Sequence, residues 1–137
     1  MTTRRLVFCM LVLCASPGEA KNLPCPQTIA VRESAAAVPG WNLRSGTRQV
    51  LLERVVLYLR RSGELAAQVP DEDSDTGTIN TVRWVIPAEQ GSQFFLACEY
   101  VNSNIRLMRP IPRSRRQCKA RFSSAGDTKS LIELSCE

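Results

Sequence analysis

The residues able to do chemistry are few, and their types narrow what they can do. The chain of 137 residues holds six cysteines and no histidine. Without histidine, Ser-His-Asp and Cys-His nucleophilic catalysis and imidazole-ligated metal sites are out of reach. No Walker loop, Gly-x-Gly-x-x-Gly or Gly-x-Ser-x-Gly occurs. The cysteines lack the Cys-x-x-Cys spacing of a zinc site. Asp71, Asp73 and Asp75 lie in a hydrophilic stretch that ends at Thr76-Gly77. Its EF-hand spacing is incomplete, so it reads as a solvated loop rather than a calcium site. No apolar wall stands beside these carboxylates to raise a pKa for acid–base work. The sequence therefore describes a chain that is not an enzyme and carries no cofactor.

The cysteines point instead to a compartment. Arg4 and Arg5 precede an apolar run over residues 6–15, and Gly18 and Ala20 follow as the small residues of a cleavage site. That order is a secretory signal peptide over residues 1–20. Residues 21–137 then form one domain. Cys9 and Cys14 leave with the signal, and Cys25, Cys98, Cys118 and Cys136 remain. An even number in an exported chain reads as two disulfides. No apolar run outside the N-terminus is long enough for a transmembrane helix.

The elements that must position these cysteines are mostly strands, since the apolar residues recur with period two. Residues 27–32 read as a first strand. Residues 34–46 read as a loop whose Trp41 plugs the core. Residues 48–61 fit either a helical face (Leu51, Leu52, Val55, Val56, Leu59) or a strand face (Leu51, Val55, Leu57, Leu59). The pair Val55-Val56 and Tyr58 favour the strand. Residues 64–69 read as one helical turn before Pro70.

Two hairpins stand out. In the first, Val82, Trp84 and Ile86 would pair with Cys98, Leu96 and Phe94 on one face, across a turn at residues 87–92. A turn at Asn102-Ser103-Asn104 leads to a strand over residues 105–109. In the second hairpin, folding about Asp127 sets Phe122 opposite Ile132, Ala120 opposite Leu134, and Cys118 opposite Cys136. The same register sets Arg121 opposite Glu133 on the outer face. Apolar, ionic and sulfur pairs agree in one register, which predicts a Cys118–Cys136 bridge. Cys25–Cys98 follows by elimination. The expected fold is a small, mostly β protein with two disulfides and at most one short helix: an antiparallel sandwich or partly open barrel of six to seven strands.

Charge is the remaining signal. Lys and Arg outnumber Asp and Glu by 18 to 13, a net charge of +5. No acidic residue occurs from Tyr100 to Gly126, while Arg106, Arg109, Arg113, Arg115, Arg116, Lys119 and Arg121 all do. Pro110 and Pro112 stiffen this stretch, and Arg113, Arg115 and Arg116 are expected on an exposed loop, with Lys119 and Arg121 beside them on the outer face. The patch is a candidate docking surface for an acidic protein. The alternative is a charged, solvated edge that prevents strand-on-strand aggregation. Nucleic acid is not indicated, because aromatic residues do not interleave with the arginines.

Cys25-Pro26, the Trp41 loop, Leu65 with Val69-Pro70-Asp71, Trp84, Leu96-Ala97-Cys98-Glu99-Tyr100, Arg109-Pro110-Ile111-Pro112, Cys118 and Cys136 follow one another in a familiar order. In that order the chain resembles a family of small, uncharacterised exported proteins of Gram-negative bacteria. The resemblance implies residence in the periplasm; the signal peptide alone leaves full secretion as second choice. Two functional classes remain. One is a non-catalytic protein-binding module, such as an inhibitor or an immunity protein, since a rigid disulfide-tied β domain loses little ordering entropy on docking. A lysozyme inhibitor of the Ser-Gly-x-x-Tyr kind is disfavoured, because Ser62-Gly63 is followed by Glu64-Leu65-Ala66. The other class is an envelope adaptor that holds an anionic surface through the Arg-rich loop.

Overall fold

The computed structural model describes residues 25–88, 91–126 and 128–137. The expected signal peptide with Cys9 and Cys14, Lys21, and Asp127, about which the second hairpin is expected to fold, lie outside them. Among the described residues the period-two stretches become nine strands and no helix. They are β1 (Thr28–Glu33), β2 (Gly46–Arg61), β3 (Glu64–Ala67), β4 (Glu72–Thr76), β5 (Ile79–Val85), β6 (Gln93–Tyr100), β7 (Arg106–Pro110), β8 (Gln117–Ala125) and β9 (Thr128–Cys136). Strands β1-β2-β6-β7 form one sheet, with β3 also on β2, and β4-β5-β8-β9 form the second. All pairings are antiparallel. The core joins Val50, Leu52, Val55 and Leu57 of β2 and alternate residues of β6 to Trp84, Ala120, Phe122 and Leu134 of the other sheet. The architecture is therefore a β-sandwich.

Strand β2 settles the ambiguity over residues 48–61 in favour of a strand. The register slips between Leu52 and Arg54, which leaves Glu53 as an extra residue. A bulge of this kind restarts the alternation. Val50 and Leu52 point inward before it, and Val55 and Leu57 after it. Leu51, expected on the buried face, is consequently half exposed at 51%.

Several expectations are corrected. Strands β5 and β6 do not form a hairpin: β5 lies between β4 and β8, and β6 between β2 and β7. Trp84, Ile86, Phe94, Leu96 and Cys98 are all buried as expected, but they meet across the sandwich rather than along one sheet. Alternation reports which face is buried and is silent on whether the partner is beside or opposite. Residues 64–67 are strand β3, not a helical turn. Ser62 and Gly63 both have positive φ (51° and 88°), the conformation of a tight two-residue turn that folds β3 back onto β2. The acidic stretch is edge strand β4, not a loop. Glu72 binds Arg83 at 2.8 Å and Asp73 accepts from Asn80 at 2.9 Å across the β4–β5 pair. Acidic side chains on an edge strand hinder pairing with another molecule. Trp41 is not a core plug, being 80% exposed.

The C-terminal hairpin keeps the expected register from Cys118↔Cys136 to Arg121↔Glu133. It then slips by one residue, so Phe122 faces Leu131 rather than Ile132. Ile132 is left 53% exposed, while Leu131 packs against the core. Ile132→Ser should therefore change stability by less than about 0.5 kcal/mol. Leu131→Ser should cost about 1–2 kcal/mol, through lost apolar burial and a newly desolvated hydroxyl. Urea melts of the two variants check the register, since the unslipped pairing reverses their order.

Candidate functional site

The arginines singled out from sequence fall into two groups. Arg113, Arg115 and Arg116 lie between β7 and β8, where Arg115 N donates to Pro112 O at 3.0 Å to close a turn. Arg113 and Arg116 are exposed and Arg115 is partly buried. Arg116 Nη1 donates to Arg113 O at 2.9 Å, so one guanidinium braces the turn. Arg113 and Arg116 border a recess of about 200 Å³ together with Ile86, Phe94 and Ile111. Lys119 and Arg121, in contrast, converge on Glu133 at 3.1 and 3.0 Å. Hydrogen bonds from Arg121 and Lys119 hold the Glu133 carboxyl below its ordinary range. With Arg83 bound to Glu72 in the same sheet, this outer face is largely self-neutralised.

The outer face of the other sheet carries a cluster that sequence reasoning missed. Glu99 sits on β6 between Arg54 of β2 and Arg106 of β7. It points away from the sandwich core, yet its side chain is only 8% exposed. Arg54 Nε donates to Oε2 at 2.7 Å, Tyr58 Oη donates to Oε1 at 2.6 Å, and Arg106 Nε lies 3.0 Å from Oε1. Burial pushes the Glu99 carboxyl up. The hydrogen bonds from Tyr58 and Arg54 and the charges of Arg54 and Arg106 outweigh burial and leave it below the ordinary range. The hydrogen bond to Glu99, reinforced by burial, raises the Tyr58 phenol. Arg106 also lies 5.4 Å from the Tyr58 ring centre, and Arg60 lies 4.4 Å over Phe95.

The result is a fork. Two guanidiniums are anchored through their Nε atoms on one buried carboxylate, and their side chains stay 60% and 53% exposed. They border a groove of about 420 Å³ completed by Glu53, Ser103 and Asn104. A guanidinium held in place loses little side-chain entropy when it meets a second carboxylate, and its planar fork suits that ligand. The sequence does hold a signal for the cluster: Glu99 is the lone charge in the apolar run of β6. Placing Arg54 beside it requires the β2 bulge, which the alternation does not reveal. Among the described residues no cluster of His, Cys, Asp or Glu is arranged to hold a metal ion. Both expected disulfides are formed, Cys25–Cys98 and Cys118–Cys136, with Cα–Cα separations of 5.8 and 4.1 Å.

Fold and surface together define a small disulfide-linked β-sandwich with a fork of exposed arginines on one sheet. The chain belongs to the Type VI secretion system Tli immunity protein family, which it matches over residues 34–137. It is also similar to the "Uncharacterized 16.3 kDa protein in trpG 5′ region" of Azospirillum brasilense, at 26% identity over 141 residues. That likeness covers 96% of this chain and 91% of the relative. No solved structure matches. The family segment spans strands β2 to β9 and the bridge Cys118–Cys136, and it begins at the loop that carries Trp41. Family membership makes the chain an immunity-type binding module with a protein partner.

Proposed function

We propose that this chain is a periplasmic immunity protein that neutralises a type VI toxin by stoichiometric, non-catalytic binding. Cleavage after Ala20 releases the domain, and the two disulfides suit an oxidising compartment. The observation that carries the reading is the fork: Arg54 and Arg106, both more than half exposed, are held on buried Glu99 and offer donors to an acidic partner. Arg113 and Arg116 lie in the connection from β7 to β8, past the end of β7 away from Arg106, and serve a different role. They add positive potential that speeds encounter without forming the contact.

The test begins with protection. The full chain is co-expressed with each type VI effector of the same genome, directed to the periplasm, and survival is scored. The toxin so identified is then captured by the purified protein. A variant with Arg54, Glu99 and Arg106 all changed to Gln keeps neutral hydrogen bonds but loses the fork. It should dissociate at least tenfold faster, with a melting temperature lowered by several degrees but a folded protein at the assay temperature. Arg113→Ser with Arg116→Ser should slow association about three- to tenfold at low salt. That double variant should leave dissociation and the melting temperature almost unchanged. Failure of the chain to rescue cells from any of these effectors sinks the proposal, as does diffuse binding that vanishes at moderate salt.

A further inference from the structure

Between β1 and β2 the chain runs out through a loop of residues 34–45, far longer than the two to five residues or so that usually connect a hairpin. Its tip is apolar. Trp41 N donates to Val38 O at 3.1 Å, and Gly40 takes φ of 83°, so Val38-Pro39-Gly40-Trp41 is a closed turn. Trp41 is 80% exposed, Val38 57% and Leu43 54%. The stem is fixed: the Arg48 side chain donates to Glu33 and to Asn102 O. Asn102 belongs to the β6–β7 turn, whose Ser103 and Asn104 line the groove beside the arginine fork. The loop and the fork therefore share one end of the sheet. A convex apolar turn does not match a flat polar surface. Residues 34–45 carry a single charged side chain, exposed Arg44, and no carboxylate, while Glu33 at the start of the loop is already taken up by Arg48.

From this juxtaposition we infer that Trp41 is the anchor of the interface, inserted into a concave apolar recess of the toxin that has an acidic rim. The inference rests on the immunity reading and deepens it. Tryptophan is the side chain most enriched among binding hot spots, and hot spots are apolar anchors ringed by polar contacts. The closed turn holds the indole ready, so little ordering remains to be done on docking.

The test uses the toxin identified by protection. Trp41→Ala should weaken its capture about 30-fold or more, through faster dissociation, with an unchanged melting temperature. Trp41→Phe should retain most of the affinity. Trp84 is buried at 2% exposure, so acrylamide quenching of the parent reports Trp41. That quenching should be strong in the free protein and fall sharply when toxin is added. Trp41→Ala that protects cells and binds toxin within threefold of the parent overturns the inference and leaves the immunity reading standing. A parent that protects against no effector overturns both. Quenching that falls with phosphatidylglycerol vesicles, or with rising concentration of the chain alone, but not with toxin, also overturns it, in favour of a membrane or a second copy.

Discussion

Changing both Cys25 and Cys98 to alanine is expected to destabilise the domain by about 4 kcal/mol. The bridge closes a segment with a sequence separation of 73 residues, against 18 for Cys118–Cys136. Loop-closure entropy makes the longer bridge worth more and puts the shorter one near 3 kcal/mol. The structure adds a second reason. Pro26 O accepts from Tyr100 Oη at 3.0 Å, and Gln27 O accepts from Leu52 N at 2.8 Å, both in the five-stranded sheet. Gln27 also reaches the other sheet, accepting from Leu131 N at 3.1 Å. The segment just after Cys25 thus laces the two sheets together at an edge, and the disulfide fixes its start. Total stability of a domain this size is about 5–15 kcal/mol, so the loss is a large fraction. A fall in melting temperature of about 15 °C is expected for Cys25→Ala with Cys98→Ala. A smaller fall is expected for Cys118→Ala with Cys136→Ala, because eight residue pairs of β8 and β9 already hold those ends together. Scanning calorimetry of the two oxidised double variants decides the order. A larger fall for the C-terminal pair removes the lacing role.

The C-terminal hairpin was legible from Cys118↔Cys136 to Arg121↔Glu133 because several kinds of residue agreed. Cys118 with Cys136 and Arg121 with Glu133 point to opposite faces, and only one register satisfies both pairs. Where one kind of signal stood alone, it misled. Val82, Trp84 and Ile86 share a buried face with Phe94, Leu96 and Cys98, and that pattern is equally consistent with neighbours in one sheet or facing strands in two. Single-residue slips were invisible as well. The bulge at Glu53 and the slip beside Ile132 each displace one residue without changing composition. Strand β4 was unreadable for a different reason. Its edge position tolerates the acidic side chains that propensity assigns to loops. Trp41 inverted the usual expectation that a lone tryptophan is buried, because its loop carries it out to 80% exposure.

Glu99 is where stability and the proposed interface meet, and its removal should cost most outside the core and the two disulfides. In Glu99→Leu the apolar side chain would fit a mostly covered site. Yet Tyr58, itself only 8% exposed, would lose its acceptor, and two guanidiniums would lose the group that gathers them. A buried hydroxyl left without a partner costs about 1–3 kcal/mol. Arg54 and Arg106 are exposed enough to regain water, which limits their share. A net loss of about 2–3 kcal/mol is expected. Glu99→Gln keeps a carbonyl acceptor for Tyr58 and should lose about half as much. The sign with pH follows from the carboxyl being held below its usual value. Folding then favours the ionised form, so the contribution is fully present above the ordinary carboxylate pKa of about 4.3 and is lost as pH falls below it toward the depressed value. Between about pH 5 and 8 it should be flat. Glu133 is depressed in the same direction, but its side chain is 34% exposed, so salt should screen its part while that of Glu99 persists. Urea melts of the parent, Glu99→Gln and Glu133→Gln at pH 3 to 7, each in low and high salt, separate the two carboxylates. An acid loss of stability that survives in Glu99→Gln at high salt assigns it elsewhere and removes Glu99 as the anchor of the fork.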